Sequence, residues 1–172
     1  MPGQLVAIGV AALAVGSLAG CGAARSTAAA AQPLPDDLLG LLTGQVDCGG
    51  AKLVMVRQHS WDFTGDGVAD ALVAVRCDTG AGSPPSAVFA VAAGGSGPRI
   101  VGELLRPADD EVVSELSGQG AQAVITAFAF GPNAPRCCPD LVAVHRYQWT
   151  GTGFDPGTRV ATPLPTATAD DG

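Results

Sequence analysis

Between Lys52 and Trp149 the chain alternates short apolar runs with clusters of Gly, Pro, Asn and Asp, a spacing that predicts strands rather than helices. The runs fall at Lys52 to Trp61, Ala69 to Cys77, Ser86 to Ala92, Arg99 to Leu105, Glu111 to Leu116, Ala121 to Phe130 and Leu141 to Trp149. A further short strand is expected from Phe154. Alternation is clearest in the last full run. There Val142, Val144, Arg146 and Gln148 share one face and Ala143, His145, Tyr147 and Trp149 the other, as in a sheet with one wet side. Consecutive strands joined by short turns form a mainly antiparallel meander. The expected fold class is therefore mainly β: an antiparallel meander of about seven strands, shaped as a curved sheet, a small sandwich or a partial propeller-like unit, with one short N-terminal helix.

That helix is predicted from Leu38, Leu39, Leu41 and Leu42, which would dock it on the domain. Pro35 suits a first helical position, Asp36 and Asp37 complement the dipole there, and Gly44 can stop the helix, while Gly40 in its middle lowers the propensity. Upstream, Leu5 through Ala19 form an uncharged apolar run, too short to span a membrane and the right length for a signal-peptide core. The run ends in Leu18-Ala19-Gly20-Cys21, which resembles the bacterial lipobox, where small residues precede a cysteine that is lipidated and becomes the N-terminus. Met1 to Gln4 carry no Lys or Arg, a departure from the signal pattern that places the true start upstream or makes the signal a weak one. The expected organisation is a signal peptide over 1–20, a flexible tether over 21–33, one β domain over 34–156 and a disordered tail over 157–172.

Composition narrows the partners. In 172 residues there is room for one domain, and the hydrophobic 47% is mostly Ala and Val with only 5% aromatic, so the core is expected to pack small aliphatic side chains. A net charge of -7, with Lys52 the single lysine, argues against nucleic acid and against an electrostatic footprint for anionic lipid. The membrane contact expected is the lipid at Cys21.

The most ordered set of oxygen donors is Asp62-Phe63-Thr64-Gly65-Asp66-Gly67-Val68-Ala69-Asp70. Asp62, Thr64, Asp66 and Asp70 stand at the first, third, fifth and ninth places, with the Val68 carbonyl at the seventh, an alternation that can turn oxygens toward one calcium ion. An EF-hand would need a Glu at the twelfth place, where Val73 stands. The stretch resembles instead the strand-turn-strand calcium loop of FG-GAP and VCBS-type extracellular β repeats, from which Thr64 departs. Without metal, the same Asp and Thr side chains would satisfy backbone N–H groups in a tight hairpin. A weaker echo at Trp149-Thr150-Gly151-Thr152-Gly153-Phe154-Asp155 has Thr152 where Asp66 stands and is not expected to bind metal.

With Cys21 assigned to lipid, Cys48, Cys77, Cys137 and Cys138 remain, an even number for an oxidising compartment. Neighbouring Cys137 and Cys138 can bond only through a tight ring, which favours each reaching Cys48 or Cys77. A fold-back at Gly49-Gly50 favours Cys48 with Cys77 instead, leaving Cys137 and Cys138 as a vicinal disulfide or dithiol, for which a structural, a redox and a soft-metal role are all open. His59 and His145 have no zinc-type spacing and are expected to pack in strands. Ser96 does not sit in a nucleophile elbow, and no phosphate loop or dinucleotide fingerprint is present. Trp61, Tyr147 and Trp149 are candidates for a ligand surface or for the core.

Together the lipobox, the DFTGDGVAD turn, Arg76-Cys77 and Cys137-Cys138-Pro139-Asp140 resemble actinobacterial-type secreted lipoproteins. The resemblance implies a lipid anchor on the extracytoplasmic face of the cell membrane and a β fold, with no catalytic residue to carry over. The function expected is a lipid-anchored module for binding or envelope interaction with an unidentified envelope or protein partner. The alternative is a cell-surface accessory enzyme, redox through Cys137 and Cys138 or hydrolytic.

Overall fold

The computed structural model describes residues 34, 37–80, 82, 84–94 and 97–165. The signal run, Cys21, the tether, Pro35, Asp36, Ser96 and residues 166–172 lie outside the described residues. Among the described residues eight strands form two four-stranded antiparallel sheets. Sheet one takes β1 (Lys52–Trp61), β2 (Asp70–Asp78), β3 (Ala87–Ala92) and β4 (Arg99–Leu105) in chain order. Sheet two takes β5 (Val112–Gln119), β6 (Gln122–Ala129), β7 (Leu141–Gln148) and β8 (Thr158–Pro163). A single turn of 3₁₀-helix, Pro107–Asp109, carries the chain from one to the other.

The layers follow from which side chains alternate. On β2 and β3, Leu72, Ala74, Val88 and Ala90 face sheet two and share its core with Leu116, Ala123 and Ile125. Their neighbours Ala71, Val73, Val75, Ala87, Phe89 and Val91 face the other way and pack against Leu38 and Leu42 of the helix α1 (Leu38–Leu42). Sheet one is thus covered on both faces, and β2 and β3 read as nearly unbroken hydrophobic runs for that reason. Sheet two keeps the expected alternation, with Ala143, His145 and Tyr147 inward and Arg146 and Gln148 exposed.

Three expectations are corrected. The helix starts after Asp37, which caps it by accepting the Gly40 N–H at 2.8 Å instead of lying inside the first turn. A Cβ on Gly40 would come within 2.4 Å of that carboxylate, so the mid-helix glycine is what lets the cap close. The strand expected from Phe154 begins at Thr158, and the tail expected over 157–172 is strand through Pro163. Thr158 to Pro163 pair residue by residue with Arg146 to Leu141, so the partner strand supplies an order that the Thr- and Pro-bearing sequence does not signal by itself.

Candidate functional site

The acidic turn joins β1 to β2, and its carboxylates are engaged by backbone N–H groups. Asp62 accepts from Gly65 (2.6 Å), Asp66 (3.2 Å) and Gly67 (2.8 Å), and from the Thr64 hydroxyl (3.3 Å). Asp66 accepts the Val68 N–H at 2.8 Å. Gly65 and Gly67 both have positive φ, 79° and 84°, the left-handed backbone that lets successive N–H groups turn inward toward Asp62. Asp70 is fully buried and accepts from Phe63 (3.0 Å), Thr64 (2.9 Å) and, across the sheet, Ala93 (2.9 Å). Burial pushes its pKa above the usual carboxylate range, outweighing those hydrogen bonds.

The five positions proposed from sequence as calcium donors are therefore brought into one turn, but their roles differ. Asp70 faces inward and ties the turn to the end of β3, while Asp62, Thr64 and Asp66 are on the outer side. Among the described residues no group of three or more His, Cys, Asp or Glu side chains converges at metal-ligand spacing. Val68 contributes its N–H to Asp66.

Phe63 fixes where the turn sits. Its ring is buried among Trp61, Trp149 and Phe154, with centroids 5.4, 5.2 and 5.1 Å away. Trp149 and Phe154 belong to the echo turn, so the two related turns meet through their aromatic residues. Trp61 and Trp149 pack, partly buried, against the core, and Tyr147 belongs to that core while also bordering a cleft.

That cleft, about 560 Å³, opens between β4 and the β7–β8 region. Its floor holds a buried ionic group that sequence reasoning missed. Glu111, 2% exposed, accepts from His145 Nε2 at 2.6 Å and from Arg159 Nε at 2.8 Å. Burial alone would raise the Glu111 pKa, but the hydrogen bonds from His145 and Arg159 prevail and hold it below the usual range. The Tyr147 hydroxyl donates to the Leu104 carbonyl, and burial, with the charges of Asp109 and Glu111 nearby, pushes its pKa up to about 12. The rim is charged with both signs, Arg106 and Arg159 against Glu103, Asp109 and Asp155. Arg159 is 46% exposed on its side chain, so a fixed guanidinium spans the buried carboxylate and solvent. The one sequence signal for this group is that His145 falls on the inward, apolar face of its strand. Glu111 lies 34 positions from His145 and 48 from Arg159, and no local pattern links the three.

Cys48 bridges Cys77 with Cα atoms 5.4 Å apart, tying the segment ahead of β1 to the end of β2. Cys137 bridges Cys138 in the loop between β6 and β7. His59 lies 5.2 Å from the Trp61 ring, and its buried Nε2 has no hydrogen-bond partner among the described residues. No helix among the described residues is long and apolar enough to cross a membrane. No protein-family profile matches the chain, and no curated protein or solved structure matches it either.

Proposed function

We propose that the protein is a lipid-anchored, extracytoplasmic β module that binds a polar envelope component in the cleft between its sheets. The observation that carries this reading is the fixed charge of the cleft: Glu111 is held ionised between His145 and Arg159, and Arg159 presents the rest of its guanidinium toward solvent. Charges locked by buried hydrogen bonds are pre-organised, so a ligand does not have to order them on binding. The mixed signs of the rim suit a ligand with both donor and acceptor groups or both charges, such as a short glycan or a peptide. The location rests on the lipobox-like Leu18 to Cys21 and agrees with the Cys48–Cys77 bridge, which belongs in an oxidising compartment.

The test is an NMR titration with soluble envelope fragments, namely muropeptides, short glycans and zwitterionic peptides. Shifts confined to Val101–Leu104, Tyr147 and Phe154, and lost in Arg159→Met, are expected. Shifts elsewhere, or none from any of the three classes, would refute the cleft as the site. Anchoring is checked separately, since Cys21→Ala should release the protein from the membrane fraction.

One calcium ion in the acidic turn belongs to the same proposal, with Asp62, Thr64, Asp66, Asp70 and the Val68 carbonyl as its donors. Extracellular modules of this kind bind at about 0.1–1 mM. Equal unfolding midpoints in millimolar calcium and in chelator would remove the ion from the picture.

The hydrolytic branch of the enzyme alternative draws on the Glu111–His145 pair, which has the arrangement of a carboxylate orienting an imidazole. The described residues lining the cleft include no Ser, Thr, Cys or Lys to serve as a nucleophile beside it.

A further inference from the structure

Among the described residues the domain carries two disulfides of opposite character. Cys48–Cys77 spans 29 positions, with a Cα separation of 5.4 Å that falls inside the ordinary range of about 4.4–6.8 Å. Such a bridge stabilises by shortening the loops open to the unfolded chain. Cys137–Cys138 joins chain neighbours whose Cα atoms are 3.8 Å apart, the spacing any trans peptide imposes. It closes no loop of chain, so it removes almost no freedom from the unfolded state and has no stabilising role of that kind.

Nor does its loop depend on it. The Arg136 guanidinium pairs with the Asp110 carboxylate and stands 5.6 Å from the centroid of the Phe130 ring. At the two ends of the loop, Asp140 accepts the Gly131 N–H at 2.6 Å, and the Cys138 N–H reaches the Pro135 carbonyl at 2.8 Å. Both cysteines are exposed. An exposed disulfide held at a spacing shorter than ordinary, without a structural task, is the kind that exchanges with thiols.

We infer that Cys137–Cys138 is a thiol–disulfide exchange site that accepts two electrons from an external dithiol. A thiolate of the dithiol attacks one of the two Sγ atoms. A mixed disulfide forms as the Cys137–Cys138 bond breaks, and the departing sulfur leaves as a thiolate that takes up a proton. The second thiolate of the dithiol then attacks its own sulfur in the mixed disulfide and releases the other cysteine. The dithiol ends as a disulfide, and the protein ends with two thiols. Because Arg136, Asp110, Asp140 and Gly131 hold the loop in either state, the exchange leaves the domain folded. This inference is independent of the cleft and of any ligand it binds.

The test uses the purified full chain with limiting dithiothreitol in one arm and reduced thioredoxin in the other, followed by maleimide labelling and peptide mapping. Labelling at Cys137 and Cys138 at least about ten-fold faster than at Cys48 and Cys77, in either arm, is expected. The unfolding midpoint should stay where it was when only the vicinal pair is reduced. In a second measurement the double variant Cys137→Ser with Cys138→Ser should unfold at the unmodified midpoint. Reduction of the vicinal pair no faster than Cys48–Cys77 in both arms, or a lowered midpoint in the double variant, would overturn the inference.

Discussion

The indole of Trp61 occupies the space that a side chain at position 118 would need. A Cβ on Gly118 would lie 2.3 Å from the Trp61 ring, whose Nε1 donates to the Gly120 carbonyl at 2.7 Å. The last residue of β1 is thereby seated on the backbone of β5, and the two sheets are locked together through one ring. Gly118→Ala should lower stability by about 1–3 kcal/mol, the usual penalty for forcing extra volume into a packed contact. Gly102→Ala is the control, because its Cβ would meet only Leu104 Cδ2 at 3.5 Å, an ordinary contact. Its effect should stay within about 0.5 kcal/mol in the same denaturant titration.

The acid limb of stability should carry two opposing slopes. Glu111 has a lowered pKa in the folded protein, so its contribution is present above the unfolded value and is lost as pH falls through the folded one. Asp70 has a raised pKa, so its ionised form penalises the fold at neutral pH, and that penalty is relieved as pH falls through the raised value toward 3.8. Glu111→Gln should flatten the loss of stability below pH 4.5, the ordinary value for this side chain, and Asp70→Asn should steepen it. Unfolding midpoints measured from neutral pH downward read both; equal slopes in all three proteins would contradict the assignment.

Asp62 is the acceptor around which the acidic turn is wound. Asp62→Ala strips an acceptor from three backbone N–H groups and one hydroxyl and should lower stability by about 1–2 kcal/mol in chelator. Asp66→Ala removes a single bond and should lower it by about 0.5 kcal/mol. Similar effects from the two would mean that the turn is not organised by Asp62.

Opening the Cys48–Cys77 bridge should be expensive by comparison. For a closed loop of 29 residues the chain-entropy relation gives about 3–4 kcal/mol. The Cys48→Ser, Cys77→Ser double variant should therefore lower the urea midpoint substantially and raise the slope of the transition, because the unfolded chain exposes more surface once the crosslink is gone.

Much of this fold is visible in the chain because local signals agree with the final structure. Lys52–Trp61 and Arg99–Leu105 begin and end where the apolar runs and their flanking turn residues place them. The acidic turn is legible too, because Asp62 and Asp70 act within a few residues of themselves. Thr158–Pro163 is not, since it is an exposed edge whose strand state comes from pairing with Leu141–Arg146. For the same reason Arg159 escapes notice, and with it the ionic group under the cleft. Glu111 resembles any charged residue at a strand edge until folding brings it against His145 and Arg159.

Asp70 has a further consequence for how the molecule opens. One carboxylate holds the amides of Phe63 and Thr64 on the turn and of Ala93 beyond β3. The hairpin tip cannot fray alone, because releasing it also strands the Ala93 amide and leaves a buried acceptor unsatisfied. Amide exchange at Phe63, Thr64 and Ala93 should accordingly proceed through one shared opening event, so that this end of sheet one breathes as a unit although its parts are separated along the chain.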